Sequence, residues 1–107
     1  KENTDFNRVY YRGKSSAKPQ LVVYPLKNRL GVCRIGITTS KKIGNAVERN
    51  RSRRIIRAAF QSVIKEFDFE GKGYDFVFVA RTKTKYLKST HIEKAMIECF
   101  KDLGVIK

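Results

Sequence analysis

With 107 residues the chain has room for one domain, about the smallest size that keeps a secure core without disulfides or metals, which excludes a two-domain reading. Its 24 Lys and Arg against 10 Asp and Glu leave a net charge of +14, while 41% hydrophobic and 11% aromatic residues exclude a disordered basic tail. Like charge at this density opposes compaction, so a polyanionic partner best explains the excess: nucleic acid first, an anionic membrane surface second.

Residues 5–11 place Phe6, Val9 and Tyr10 on one side of a short helix that Gly13 ends. Residues 15–19 read as a turn. Residues 20–24, rich in β-branched and aromatic side chains, predict a strand that Pro25 interrupts. Residues 32–38 alternate Cys33, Ile35 and Ile37 against Arg34, Gly36 and Thr38, the period of a half-buried strand whose polar face is open to other uses. A basic loop over residues 39–45 leads into a helix over residues 46–67. At about 100° per residue, Ile55, Ile56, Ala59, Phe60, Val63 and Phe67 gather on one side of it, opposite Asn50, Arg53, Arg54, Arg57 and Gln61. An acidic connection over residues 66–73 precedes the apolar run 74–80, which predicts a central strand covered on both faces. Thr90 with Glu93 reads as a capping box, and Ile92, Ala95, Met96, Cys99, Phe100 and Leu103 then repeat at helical spacing up to Gly104. The order α-β-β-α-β-α predicts an α+β two-layer sandwich in which helices pack on a mixed β-sheet, with room for one further short strand. No internal repeat or linker divides residues 1–107, which read as a single RNA-binding domain.

No apolar run approaches the roughly 18 residues of a membrane span and no secretory leader opens the chain, so the expected compartment is the cytoplasm. A chain that opens at Lys1-Glu2-Asn3 is expected to have lost an upstream segment. Cys33 and Cys99 form no CxxC pair and His91 stands alone, so both thiols are expected to be buried and reduced, and no protein-held metal is expected. The densest acidic group, Glu66, Asp68 and Glu70, reads as a solvated loop rather than a two-metal nuclease centre. His91, in the first turn of the last helix, reads as a helix-start residue rather than a general base, and no activated nucleophile stands out. No catalytic residue is therefore assigned.

The informative stretch is residues 41–57, where Lys41, Lys42, Arg49, Arg51, Arg53, Arg54 and Arg57 face Glu48 alone. Like charges at i, i+4, such as Arg49 with Arg53 and Arg53 with Arg57, cost about 0.2 to 0.5 kcal/mol each, so something outside the chain compensates. Arginine forks match paired phosphate oxygens and stack on exposed bases. On these grounds alone two further readings stay open: a structural RNA-binding module of ribosomal-protein type, and a membrane-surface amphipathic protein. The second is disfavoured because the apolar side of the long helix is needed to cover the sheet.

The order Gly36-Ile37-Thr38-Thr39-Ser40-Lys41-Lys42-Ile43-Gly44-Asn45-Ala46-Val47-Glu48-Arg49-Asn50-Arg51-Ser52-Arg53-Arg54-Ile55-Ile56-Arg57 closely resembles the signature of the bacterial ribonuclease P protein family, with Arg49-Asn50-Arg51 at its centre. Asp5-Phe6, Val9-Tyr10 and Gly13 resemble its first helix, Leu21-Val22-Val23-Tyr24 its first strand, and Val79-Ala80-Arg81 its last. The chain departs from the family in lacking basic residues ahead of Asp5, in Arg53 where Lys is common, and in Ala58 where an acid is common. The resemblance implies a fold like the second domain of ribosomal protein S5 and the role of protein subunit in the endoribonuclease that removes the 5′ leader of precursor tRNA. It implies that Lys41, Lys42, Arg49, Asn50, Arg51, Arg53, Arg54 and Arg57 face the catalytic RNA, and that Phe6, Tyr10 and Tyr24 receive the single-stranded leader. On pattern alone Phe6 and Tyr10 read as core rather than cleft, and only the resemblance reverses that. It further implies that Mg2+ held mainly by the RNA serves the hydrolysis, with no organic cofactor and no obligatory protein partner.

Overall fold

The computed structural model describes residues 15–67 and 73–106. The predicted first helix, with Phe6 and Tyr10, lies outside them, as do residues 68–72 of the acidic connection. Within them the strand patterns become β1 (Ser16–Ala17), β2 (Leu21–Asn28), β3 (Arg34–Thr38) and β4 (Gly73–Ala80). The helical patterns become α1 (Ala46–Glu66), between β3 and β4, and α2 (Ser89–Asp102) after β4, with single 3-10 turns at Lys41–Ile43 and Thr84–Tyr86. The sheet runs β1-β2-β4-β3, with β4 antiparallel to β2 and parallel to β3, so the mixed α+β class is as predicted.

β4 is the central strand because its side chains are apolar on both faces. Tyr74, Phe76, Phe78 and Ala80 enter the core under the helices, while Val77 is buried on the other face. Phe76 lies 4.8 Å from Phe100 of α2, and Phe60 of α1 lies 5.7 Å from Phe78, centroid to centroid, so one aromatic cluster pins both helices to the sheet. At the far edge, Lys18 just after β1 pairs with Asp102 of α2 at 3.0 Å.

Four expectations are corrected. The segment read as a turn over residues 15–19 contains β1, which pairs antiparallel with β2. Pro25 does not end its strand: β2 continues to Asn28, because β1 pairs only with Val22 and Val23 and the proline sits where β2 is an edge on that side. β3 starts at Arg34 rather than at residue 32, since Asn28 ties up the turn before it. Its Nδ2 donates to Val32 O at 3.1 Å and its Oδ1 accepts from Leu30 N at 2.9 Å. Gly73 lies directly beneath this turn, where a Cβ would come within 2.8 Å of Gly31 N and run into the Asn28 amide. Finally, Thr90 and Glu93 form no capping box: the 84–86 turn, whose Thr84 hydroxyl donates to Gln20 O, brings the chain into α2 two residues earlier. Lys88 is the residue at the helix entrance, and its N–H donates to His91 Nδ1 at 3.2 Å.

Cys99 is buried as expected, its thiol 3.7 Å from Ser16 O, whereas Cys33 is only half-buried. Burial pushes both thiols above their ordinary pKa, so neither is an activated nucleophile. Among the described residues no helix is long and apolar enough to cross a membrane.

Candidate nucleic-acid interface

The basic loop is seated on α1 by local chemistry. Asn45 accepts from Glu48 N through its Oδ1 at 2.9 Å, and Glu48 Oε1 accepts from Asn45 N at 3.0 Å, a reciprocal capping box that satisfies two donors of the first turn. Gly44 precedes it at φ 139°, a conformation that favours glycine, with the Glu48 carboxylate packed where a Cβ would stand. Lys41 and Lys42 are exposed on the 3-10 turn while Ile43 is buried, so one apolar anchor holds two outward cations.

On α1, steps of about 100° per residue put Arg49, Arg53 and Arg57 along one flank, with Asn50 and Arg54 beside them. Asn50 Oδ1 accepts from Arg53 at 2.9 Å, which orients that guanidinium. Arg51 stands two residues, or about 200°, from Arg53 and lies on the other flank, where its Nε donates to Lys85 O at 3.1 Å. Of the eight residues expected to face RNA, Arg49, Asn50, Arg53, Arg54 and Arg57 thus share one side of α1, Lys41 and Lys42 lie on the turn before it, and Arg51 is turned toward Lys85.

Glu48, the single acid of the stretch, is turned away from the arginine flank. Its Oε2 meets Lys85 Nζ at 2.9 Å, and the same ammonium donates to Ile43 O. The Lys85 hydrogen bond, followed by that from Asn45 N–H, holds the Glu48 carboxyl below its ordinary value of 4.5, while Glu48 raises the pKa of Lys85. The arginine flank therefore keeps its full charge. A carboxyl whose folded pKa is depressed stabilises the fold above its unfolded value and loses that contribution as pH falls through the folded one. Glu48→Gln is accordingly expected to flatten the decline of the thermal midpoint between about pH 5 and about pH 3 relative to the unaltered chain; parallel curves would show that the carboxylate contributes nothing.

The face of the sheet away from the helices has its own relief. Register aligns Tyr24, Val77 and Gly36 in one row, flanked by Leu26, Asp75 and Arg34 on one side and by Val22, Val79 and Thr38 on the other. Gly36 leaves the β3 end of the middle row low, and the half-buried Tyr24 stands at its β2 end with Val77 between them. Asp75 is fully buried and accepts from Arg34 Nε at 2.8 Å, Arg34 Nη2 at 2.7 Å and Asn28 Nδ2 at 2.8 Å, which locks the floor of this trough. Tyr24 and the arginine flank thus occupy different sides of the molecule. Sequence reasoning did not single out Asp75, Asn28, Lys85 or Tyr86, whose partners are remote in the chain.

The family model described as Ribonuclease P matches residues 1–104. The chain is 44% identical over 101 residues to the ribonuclease P protein component of Pelotomaculum thermopropionicum, covering 94% of this chain and 88% of that one. It is likewise 44% identical over 96 residues to that of Clostridioides difficile, covering 90% and 82%. Among solved structures, the RNase P protein of Staphylococcus aureus superposes with a TM-score of 0.81 at 34% identity, covering 100% of this chain and 95% of that one. That of Thermotoga maritima, in complex with 1-(4-fluorophenyl)-2-thiourea, gives 0.76 at 27% identity over 90% and 91%. A basic helix left un-neutralised on a mixed sheet, matched along nearly its whole length by these relatives, places this chain in the bacterial ribonuclease P protein family.

Proposed function

We propose that the chain binds the catalytic RNA of ribonuclease P through Lys41, Lys42, Arg49, Asn50, Arg53, Arg54 and Arg57, with Arg51 on the opposite flank. We also propose that it holds the single-stranded 5′ leader of precursor tRNA along the trough beside Tyr24, together with Phe6 and Tyr10. It thereby promotes endonucleolytic release of the leader and formation of the mature 5′ end, in the cytoplasm. The observation that carries this reading is the pairing of Glu48 with Lys85, which leaves a row of arginines with no acid paired to them among the described residues. Arginine forks at that spacing grip phosphates, and a half-buried tyrosine offers an unpaired base a stacking plane without demanding a sequence.

Among the described residues no group of three His, Cys, Asp or Glu side chains could hold a metal ion. The Mg2+ that hydrolysis requires belongs to the RNA in this reading, and the protein binds and orients.

Reconstitution with the cognate RNA tests the proposal. The unaltered chain is expected to restore precursor cleavage at a low Mg2+ concentration at which the RNA alone is inactive; binding without restored cleavage would leave a structural RNA-binding module instead. Tyr24→Ala is expected to weaken leader-bearing precursor by roughly 5- to 10-fold, within the range for loss of one stacked base, and to leave mature tRNA unaffected. Equal loss for both tRNA forms would remove Tyr24 from the leader path.

A further inference from the structure

Beside the entrance to α1, on the flank opposite Arg53 and Arg57, an open pocket of about 320 Å³ is lined by Glu48, Arg51, Lys85 and Tyr86. Its composition is unusual for a surface otherwise dominated by cations. Tyr86 is 77% exposed, and Val47, one helical turn before Arg51, is 73% exposed. A tyrosine and a valine left in water beside an arginine gain nothing for the fold, since the core closes without them.

The frame of the pocket is fixed. Arg51 is held by its Nε to Lys85 O, and Lys85 is clamped between Glu48 and Ile43 O, with its ammonium 5.2 Å from the Tyr86 ring centroid. Among the described residues the two terminal nitrogens of Arg51 have no partner, which leaves them available at the rim. Inside, the Glu48 carboxylate repels a phosphate but can accept a hydrogen bond from an exocyclic amine. A neutral heterocycle within and a phosphate at the rim answer both charges. The volume lies at the small end of ligand pockets and suits one base rather than a larger group.

We infer that this pocket is a stacking subsite for one unpaired nucleotide of the catalytic RNA, with the base on Tyr86, its edge toward Glu48 and its phosphate at Arg51. The inference rests on the RNA-binding reading above and adds a second contact, built around stacking, on the other flank of α1. It gives Arg51 a role separate from the main arginine surface.

Affinity and salt dependence distinguish it from charge alone. Tyr86→Ala is expected to lose about tenfold in affinity for the catalytic RNA, and Tyr86→Phe to bind as the unaltered chain does. The slope of log affinity against log salt should be the same in both, because no phosphate contact is removed. Tyr86→Lys separates the alternatives further: stacking expects weaker binding, and plain electrostatics expects tighter binding with a steeper salt slope. The chain has no tryptophan, so Tyr86→Trp introduces a single indole. Its fluorescence should be quenched and shielded from acrylamide when RNA is added, whereas Lys101→Trp, on the last turn of α2, should stay accessible. Far-UV circular dichroism confirms that each variant is folded. Unaltered affinity in Tyr86→Ala, tighter binding by Tyr86→Lys, or an accessible indole at position 86 in the complex would each overturn the subsite. Failure of the unaltered chain to bind the RNA would instead overturn the reading on which it rests.

Discussion

Replacing Asp75 by alanine is expected to lower the free energy of unfolding by about 3 kcal/mol, and replacing Arg34 by methionine to lower it by more. Asp75 is fully buried on the central strand and accepts hydrogen bonds from the Arg34 fork and from Asn28. Removing one member of a buried pair leaves the other uncompensated, which costs roughly 3 to 5 kcal/mol. The two members are not equivalent. The Arg34 side chain is 38% exposed and can recover water when Asp75 is lost, whereas Asp75 at 0% cannot when Arg34 is lost. The double variant Arg34→Met/Asp75→Leu is expected to regain most of the loss, because apolar groups of similar size cost nothing to desolvate. Denaturant unfolding of the four chains in a mutant cycle gives the result. Single losses below about 1 kcal/mol would reduce the pair to an ordinary surface ion pair. Against a total stability of roughly 5 to 15 kcal/mol for a domain, the expected loss is large enough to raise the unfolded fraction at ordinary temperature.

The double variant Arg53→Ala/Arg57→Ala is expected to weaken binding to the catalytic RNA by about 100-fold near physiological salt, taking roughly 1.4 kcal/mol for each charge-assisted phosphate contact. It should also lower the slope of log affinity against log salt by about 2, one for each phosphate no longer neutralised. Stability should move the other way. Arg53 and Arg57 are like charges one turn apart, and removing them relieves about 0.2 to 0.5 kcal/mol of repulsion. Filter binding across a salt series and thermal unfolding of the same preparation measure both. A variant that binds RNA as well as the unaltered chain would remove this flank from the interface.

How far the sequence disclosed this structure depended on the range of the interactions involved. α1 was legible to within a residue because its periodicity is local and continuous over six turns. β4 was legible because a run apolar on both faces has few homes other than the middle of a sheet. Pro25 misled because its tolerance depends on which side of β2 another strand lies, and nothing near residue 25 says that β1 stops short of it. Thr90 and Glu93 have the right spacing for a cap, yet the 84–86 turn, tied to Gln20 through Thr84, sets the direction of the chain before it reaches them. In the candidate interface, the cations were visible as a cluster. The flank assignment of Arg51 was also available, from the rotation of about 200° between it and Arg53. The role of Glu48 was hidden, since Lys85 lies far along the chain, and so was the Asp75 lock, whose partners are 41 and 47 residues away.

The strand order carries a consequence for how the chain reaches this state. β2 and β3 follow one another in sequence, yet β4 separates them in the sheet, so beyond the short β1–β2 pairing the first half of the molecule cannot join its strands on its own. Two strands and an arginine-rich helix must wait, with apolar sides uncovered, until residues 73–80 arrive to pair with both. Such non-local closure slows folding and makes it all-or-none, and a chain truncated before Gly73 would present two unpaired strand edges to its neighbours. The keystone of the sheet is the last strand to be made.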